Sequence, residues 1–301
     1  MFRGAYTALI TPFKNGKVDY SALEALVENQ IAGGIDGLVP CGTTGESPTL
    51  TDKEHDEVIA FVVKTVRKRV TVIAGTGSNS TAEAIERTRH AKEAGADAAL
   101  LVTPYYNKPN QRGLIAHFTA IADAVDIPQI LYNIPGRSVI NINPETLAEL
   151  SRHRNIVGVK ESTGNLEQMI RIKALCGPDF DLISGDDPLT LPVLSIGGVG
   201  VISVTAHLIP GETSRIVHSY LEGKIEESRK LFYKYYDLVK TIMSIDVNPV
   251  GIKTAMALRG QVSEEFRLPL VPLTAEAKEI LRKELEKYNL LSVKTAAGSS
   301  R

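Results

Sequence analysis

The chain has 301 residues, 43% hydrophobic and 23% charged, with 34 Lys+Arg against 35 Asp+Glu and a formal net charge of −1. That length and apolar content can bury a large core, which excludes a disordered regulator, and a near-neutral chain without a Lys/Arg-rich run excludes nucleic-acid or anionic-membrane binding. The only two cysteines, Cys41 and Cys176, lie far apart, which argues against a disulfide framework and fits a reducing, cytoplasmic compartment.

Residues 1–5 lack the basic start and apolar run of a signal peptide, so no export is expected. The first predicted strand is the apolar run 5–10, followed by a helix over 21–32 that Asp19 precedes and Gly33 and Gly34 end. A second strand at 37–40 leads into a helix whose start is marked by Thr51 with Glu54 three residues on. Strand 70–74 is followed by Ser80 with Glu83, and that helix closes at Gly95. Further strands are predicted at 98–103, 129–132, 156–160 and 182–184, with Asn143 and Pro144 opening one of the intervening helices and Gly177 closing another. The most apolar stretch, 189–204, is broken by Pro192 and by Gly197, Gly198 and Gly200; it reads as a buried helix and a strand over 199–204, too short to span a bilayer.

Eight apolar runs without alternation, each followed by room for a crossover helix, describe parallel strands buried on both faces. Such a set predicts a closed α/β fold, a (β/α)8 TIM barrel over residues 1–223. A barrel of about 250 residues leaves a surplus here, and it lies at the C-terminus. Leu231, Tyr235, Leu238 and Ile242 recur at helical spacing, and 250–258 and 275–288 read as further helices of an extension over 224–291. Residues 292–301 read as a flexible tail. A doubly wound dinucleotide fold is the rival topology, but Gly75, Thr76, Gly77, Ser78, Asn79 and Ser80 lack the final glycine of that fingerprint.

In a barrel of this kind the chemistry sits at the carboxyl ends of the strands. Lys160 stands at the end of the sixth run, and strict alternation would put it on one face with Gly158 and Ile156, where it could point inward and attack a carbonyl as a neutral amine. Its alternatives are to reach solvent or to pair with Glu161. Thr43, Tyr106 and Tyr132 end other runs and could form a hydroxyl relay, and Arg137 could hold a carboxylate. Cys41 reads as a small buried residue with no histidine nearby in sequence. Asp186 and Asp187 read as a capped helix start before Pro188, and the aromatic group Phe232, Tyr233, Tyr235 and Tyr236 as packing or a subunit contact.

The phrases Gly42-Thr43-Thr44-Gly45-Glu46-Ser47, Thr103-Pro104-Tyr105-Tyr106-Asn107, Tyr132-Asn133-Ile134-Pro135-Gly136-Arg137, Val159-Lys160-Glu161 and Ser184-Gly185-Asp186-Asp187 occur in this order. Together they resemble the dihydrodipicolinate synthase family of the pyruvate-dependent class I aldolase and N-acetylneuraminate lyase superfamily, over about residues 2–291. The resemblance implies that Lys160 forms a Schiff base with pyruvate and that Thr43, Tyr106 and Tyr132 relay protons, Tyr106 across a dimer interface. It implies that Thr44 cradles the pyruvate carboxylate, that Arg137 orients L-aspartate 4-semialdehyde, and that Gly185 and Ile202 line the pocket with backbone. No metal and no organic cofactor is implied, and no clustered Cys/His or His-Glu-x-x-His pattern occurs.

The same resemblance implies a homotetramer built as a dimer of dimers, and a lysine effector cleft at Ser47, His55, Asn79, Glu83 and Tyr105, with Leu50 beside them. Pro48 and Asp52 depart from a lysine-sensitive pattern, which implies weakened inhibition; the plain alternative is that His55 and Glu83 are solvated helix residues. Other pyruvate aldolases of the superfamily, and a barrel that binds without turnover, are the rival functions.

Overall fold

A computed structural model of the chain describes residues 2–291; the predicted flexible tail at 292–301 lies outside the described residues. Eight strands form the barrel: β1 Gly4–Ala8, β2 Gly37–Val39, β3 Thr71–Gly75, β4 Ala98–Val102, β5 Gln129–Asn133, β6 Ile156–Glu161, β7 Asp181–Ser184 and β8 Gly200–Ser203. Each pairs in parallel with its chain neighbours, and β8 pairs with β1 to close the ring. Every predicted strand is present. A two-residue antiparallel hairpin, Phe13–Lys14 with Lys17–Val18, was not expected from the sequence, its strands being too short to leave a period.

The strands lack alternation because both faces are covered. Tyr6, Val39, Ile73, Leu100, Ile130 and Ile183 fill the interior of the ring. Leu38, Val72, Leu101, Leu131, Val159 and Leu182 face outward under the helices. A main helix follows each strand: α1 Tyr20–Ala32, α2 Asp52–Val66, α3 Thr81–Ala94, α4 Gln111–Ala124, α5 Pro144–Leu150, α6 Leu166–Cys176, α7 Thr190–Ser195 and α8 Pro210–Leu221. A further four-residue helix, Pro135–Ser138, stands between β5 and α5 and carries Arg137. Asp19 caps α1 by accepting from the Ala22 amide, and Thr51 with Glu54 forms a complete capping box on α2. Ser80 caps α3, but the Glu83 carboxylate accepts from Ser78 instead of returning to the cap. Pro144 starts α5 as predicted, without a side-chain cap from Asn143.

Strict alternation fails on β6. Gln129 pairs with Ile156 but Ile130 pairs with Gly158, so a bulge at the start of the strand turns Ile156 outward beside Val159 and leaves Val157 against the interior cluster. Beyond the bulge the alternation resumes, and Lys160 points inward.

Three more helices, α9 Ile225–Ser244, α10 Val250–Leu258 and α11 Ala275–Lys287, make the C-terminal extension. Leu238, Ile242, Val250, Met256, Leu281 and Leu285 join the hydrophobic cluster that contains Leu9, Ile10, Leu26 and Val58, so the extension packs directly on the barrel. On α9 Tyr235 is buried but Tyr233 and Tyr236 are exposed, so the aromatic group packs within the chain only in part. No helix among the described residues is long and apolar enough to cross a membrane.

Candidate active site

A cavity of about 430 Å³ opens at the carboxyl ends of the strands, lined by Thr43, Thr44, Tyr132, Arg137, Lys160 and Gly185, among others. Six of the residues singled out from sequence therefore converge on one space. Lys160 is 6% exposed, and its Nζ lies 4.2 Å from the centroid of the Tyr132 ring. Burial lowers its pKa from 10.5 to about 8, the nearby Asp187 and Asp186 carboxylates draw it back up, and Arg137 pushes it down. It does not pair with Glu161. That carboxylate points to the other face of β6, where it accepts from Asn133 Nδ2 at 2.9 Å and the Thr163 amide at 2.9 Å.

Gly185 makes room for the amine. A Cβ there would stand 2.0 Å from Ser162 Oγ and 2.9 Å from Lys160 Cε, so any side chain would collide with the lysine stem. Ser162 follows Lys160 by two residues and faces the same cavity. The period-two rule, carried two residues beyond Lys160, is the sequence signal that points to it.

Tyr132 is also nearly buried. Burial pushes its phenol up to about 12, and the hydroxyls of Ser162 and Thr43 and the charge of Arg137 partly oppose that shift. Thr43 and Thr44 sit on a tight turn after β2 in which the Gly45 amide donates to the Gly42 carbonyl and the Glu46 amide to the Thr43 carbonyl, both at 3.1 Å. The β3 backbone approaches this turn closely: a Cβ on Gly75 would lie 2.3 Å from the Cys41 carbonyl oxygen.

Asn248, from the segment between α9 and α10, is a further residue of the site to which the sequence assigns no role there. Its Nδ2 donates to Thr44 Oγ1 at 3.0 Å, and its carbonyl accepts from Arg137 Nη2 at 3.0 Å. It thus links the two candidate carboxylate-binding residues. No local pattern around Asn248 signals this, because the contact exists only once the extension packs on the barrel mouth.

The side chains of Tyr106 and Ile202 are not among those that line this cavity. Tyr106 is 89% exposed, with a left-handed backbone at φ 70°. Ile202 is buried in the barrel interior, and the side chain reaching the cavity from the end of β8 is Val204.

Asp187 corrects the helix-cap reading. Its Oδ2 accepts from the Val204 amide at 2.8 Å and the Thr205 amide at 3.3 Å, joining β7 to β8 rather than capping its own turn, and burial raises its pKa. Among the described residues no cluster of His, Cys, Asp and Glu is arranged to hold a metal ion.

A second cavity of about 230 Å³ shares Thr43, Tyr132 and Arg137 with the first and adds Ser47, Pro48, Arg87 and Tyr105. Asn79 Nδ2 donates to the Tyr105 carbonyl at 3.2 Å, Glu83 accepts from Ser78, and Arg87 reaches Asp52 at 3.0 Å. Leu50 is buried in the hydrophobic cluster beneath. His55 is not a solvated helix residue: it is buried, and its Nε2 lies 2.9 Å from the Gly75 carbonyl. The same packing puts the His55 carbonyl 3.6 Å from Cys41 Sγ, so a histidine is close after all, but it offers backbone, not a base. Burial pushes the Cys41 thiol up, away from a thiolate.

Residues 1–288 match the model of the dihydrodipicolinate synthetase family. A 4-hydroxy-tetrahydrodipicolinate synthase from Geobacter sp. (strain M21) is 55% identical over 291 residues, 97% of this chain and 100% of the relative. Among solved structures, dihydrodipicolinate synthase from Aquifex aeolicus superposes with a TM-score of 0.95 at 48% identity, covering 97% of this chain and 100% of that one. DHDPS from Cyanidioschyzon merolae with lysine bound superposes with a TM-score of 0.93 at 45% identity, covering 96% and 99%.

Proposed function

The chain belongs to the dihydrodipicolinate synthetase family, and on that premise we propose that it condenses pyruvate with L-aspartate 4-semialdehyde through a Schiff base on Lys160, the 4-hydroxy-tetrahydrodipicolinate synthase reaction. The observation that carries this is the inward, buried Lys160 amine, held against Tyr132 with its pKa lowered to about 8 by burial. A fraction of the amine is then free near neutral pH, where an unperturbed lysine would be almost wholly protonated.

Lys160 Nζ adds to the ketone carbon of pyruvate and water leaves, giving an imine whose nitrogen serves as the electron sink. Thr44 and the amides adjoining it that the turn's own hydrogen bonds do not use hold the carboxylate. A methyl proton departs through the hydroxyls of Tyr132 and Thr43, giving an enamine. Its carbon attacks the semialdehyde carbonyl, and Arg137 holds that substrate's carboxylate. The semialdehyde's amino group then displaces the lysine, closing a six-membered ring and freeing Nζ for the next turnover. Every proton in this sequence passes between side chains and substrates, and no step calls for a metal or an organic cofactor.

Tyr106 serves the neighbouring subunit's relay, within a homotetramer built as a dimer of dimers. Its near-complete exposure in a single chain supports this. The second cavity takes lysine as an effector, with Ser47, Arg87 and Tyr105 on its wall, and Asn79 on the Tyr105 carbonyl, Glu83 beside Arg87 and His55 behind Gly75 supporting that wall. The lysine-bound relative supports that assignment. The compartment is the cytoplasm.

The test is borohydride reduction in the presence of pyruvate, followed by peptide mass mapping. The expected result is a single adduct on the peptide carrying Lys160. Folded protein that gains no adduct there overturns the proposed mechanism.

A further inference from the structure

An ion pair lies directly behind the candidate pyruvate turn. Lys253 Nζ on α10 is 2.5 Å from Glu46 Oε1, and both side chains are fully shielded from solvent. The ammonium also stands 4.1 Å from the centroid of the Phe13 ring and 5.2 Å from that of Phe266. The second carboxylate oxygen of Glu46 accepts from the Arg267 amide at 3.3 Å.

Two charges withdrawn from water gain little stability over apolar residues of the same volume, so stability alone does not account for placing them here. Their location supplies a reason. Glu46 is the last residue of the turn that carries Thr43 and Thr44, and its amide donates to the Thr43 carbonyl. Its backbone is left-handed, at φ 54°, a conformation that a residue with a side chain keeps only when its surroundings hold it there. The neighbouring Gly45 carbonyl is gripped by Thr11 Oγ1 at 2.7 Å. The segment that leads into α10 also touches the turn at a second point, through Asn248 on Thr44 Oγ1.

We propose that the buried Glu46–Lys253 pair is a positioning device for the reaction, by which the C-terminal extension sets the Thr43 hydroxyl in the proton relay and the Thr44 hydroxyl at the keto-acid carboxylate. Glu46 and Lys253 touch no substrate; they act through the turn. The inference rests on the function proposed above, and it assigns that chemistry a dependence on a helix outside the barrel.

The test separates imine formation from proton removal. Wild type, Glu46→Asp and the doubly neutral Glu46→Gln/Lys253→Met variant are saturated with pyruvate, and borohydride trapping counts the sites that form the imine. Exchange of the pyruvate methyl protons for deuterium, followed by proton NMR, gives the rate of enamine formation per trapped site. Glu46→Asp keeps both buried charges, and with them the fold, while drawing the turn toward α10 by one methylene. Both variants are expected to trap at saturating pyruvate, with a raised pyruvate KM and exchange per trapped site slowed on the order of 10²-fold, as for a displacement near 1 Å. Wild-type exchange per trapped site and an unchanged KM in Glu46→Asp overturn the positioning role. A wild type that is not trapped at all overturns the Schiff-base reading instead.

Discussion

Tyr132 and Lys160 are register partners on adjacent strands, and the lysine amine rests over the tyrosine ring at 4.2 Å. Pairing in register on the inner face of a closed barrel leaves the amine with an aromatic wall and little solvent. Their chain neighbours Asn133 and Glu161 are partners in the same way on the outer face, hydrogen bonded at 2.9 Å. That outer contact ties β5 to β6 where the two reactive side chains point inward.

The depressed Lys160 pKa sets the pH dependence of imine formation. The amine reacts only when deprotonated, so trapping at subsaturating pyruvate is expected to rise with pH through about 8, not through 10.5. Asp187 favours the charged form, so Asp187→Asn is expected to move the midpoint down. A midpoint that stays put in that variant contradicts the electrostatic assignment, and the rate of borohydride inactivation against pH reads it.

The same shift carries a stability cost with a defined sign. A lysine whose folded pKa lies below its unfolded one destabilises the fold wherever it is ionised in both states: fully below about 8, vanishing above 10.5. The shift corresponds to about 3 kcal/mol as an upper order of magnitude. Lys160→Met is expected to abolish trapping and cut turnover at least about 10³-fold, yet to raise the melting temperature at pH 7. That gain should disappear as the pH passes 10, a trend that calorimetry at several pH values can follow.

Removing one relay hydroxyl leaves the amine intact. Tyr132→Phe is expected to lower kcat by about 10²–10⁴-fold, the usual range for proton transfer, while imine trapping at saturating pyruvate persists. Full loss of trapping in that variant would mean that Tyr132 acts mainly by holding the lysine.

Tyr106 gives a test of subunit exchange. Lys160→Ala chains and Tyr106→Phe chains are each expected to be impaired. In the proposed dimer a mixed pair would contain one site with both an intact lysine and a tyrosine donated by the other chain. Mixing the two after reversible dissociation should restore activity above that of either parent. Simple averaging of the two activities places Tyr106 outside the neighbouring site.

Lysine at millimolar concentration is expected to slow turnover, because the second cavity shares Thr43, Tyr132 and Arg137 with the first. Glu83→Ala should remove that response with kcat nearly unchanged, since Glu83 contacts Ser78 and Arg87 rather than the first cavity. An enzyme indifferent to lysine in a steady-state assay rules the effector assignment out.

What the sequence determined by itself is the part governed by short-range rules. The eight apolar runs, the caps at Asp19, Thr51 and Ser80, and the residues at the strand ends depend on period, propensity and one or two neighbouring amides. Together they were enough to place Lys160, Thr43, Tyr132 and Arg137 at one end of a barrel. Tertiary structure decided what depends on closure and on contacts between distant segments. The bulge that turns Ile156 outward exists because β6 must match β5 around the ring. Asn248 reaches Thr44 and Lys253 reaches Glu46 because packing brings segments 204 and 207 residues apart into hydrogen-bond contact, and Asp187 reaches the Val204 amide because the next strand returns beside its own. A hydrogen bond of that kind leaves no periodic trace in the chain, since neither partner's neighbours record where the other will be.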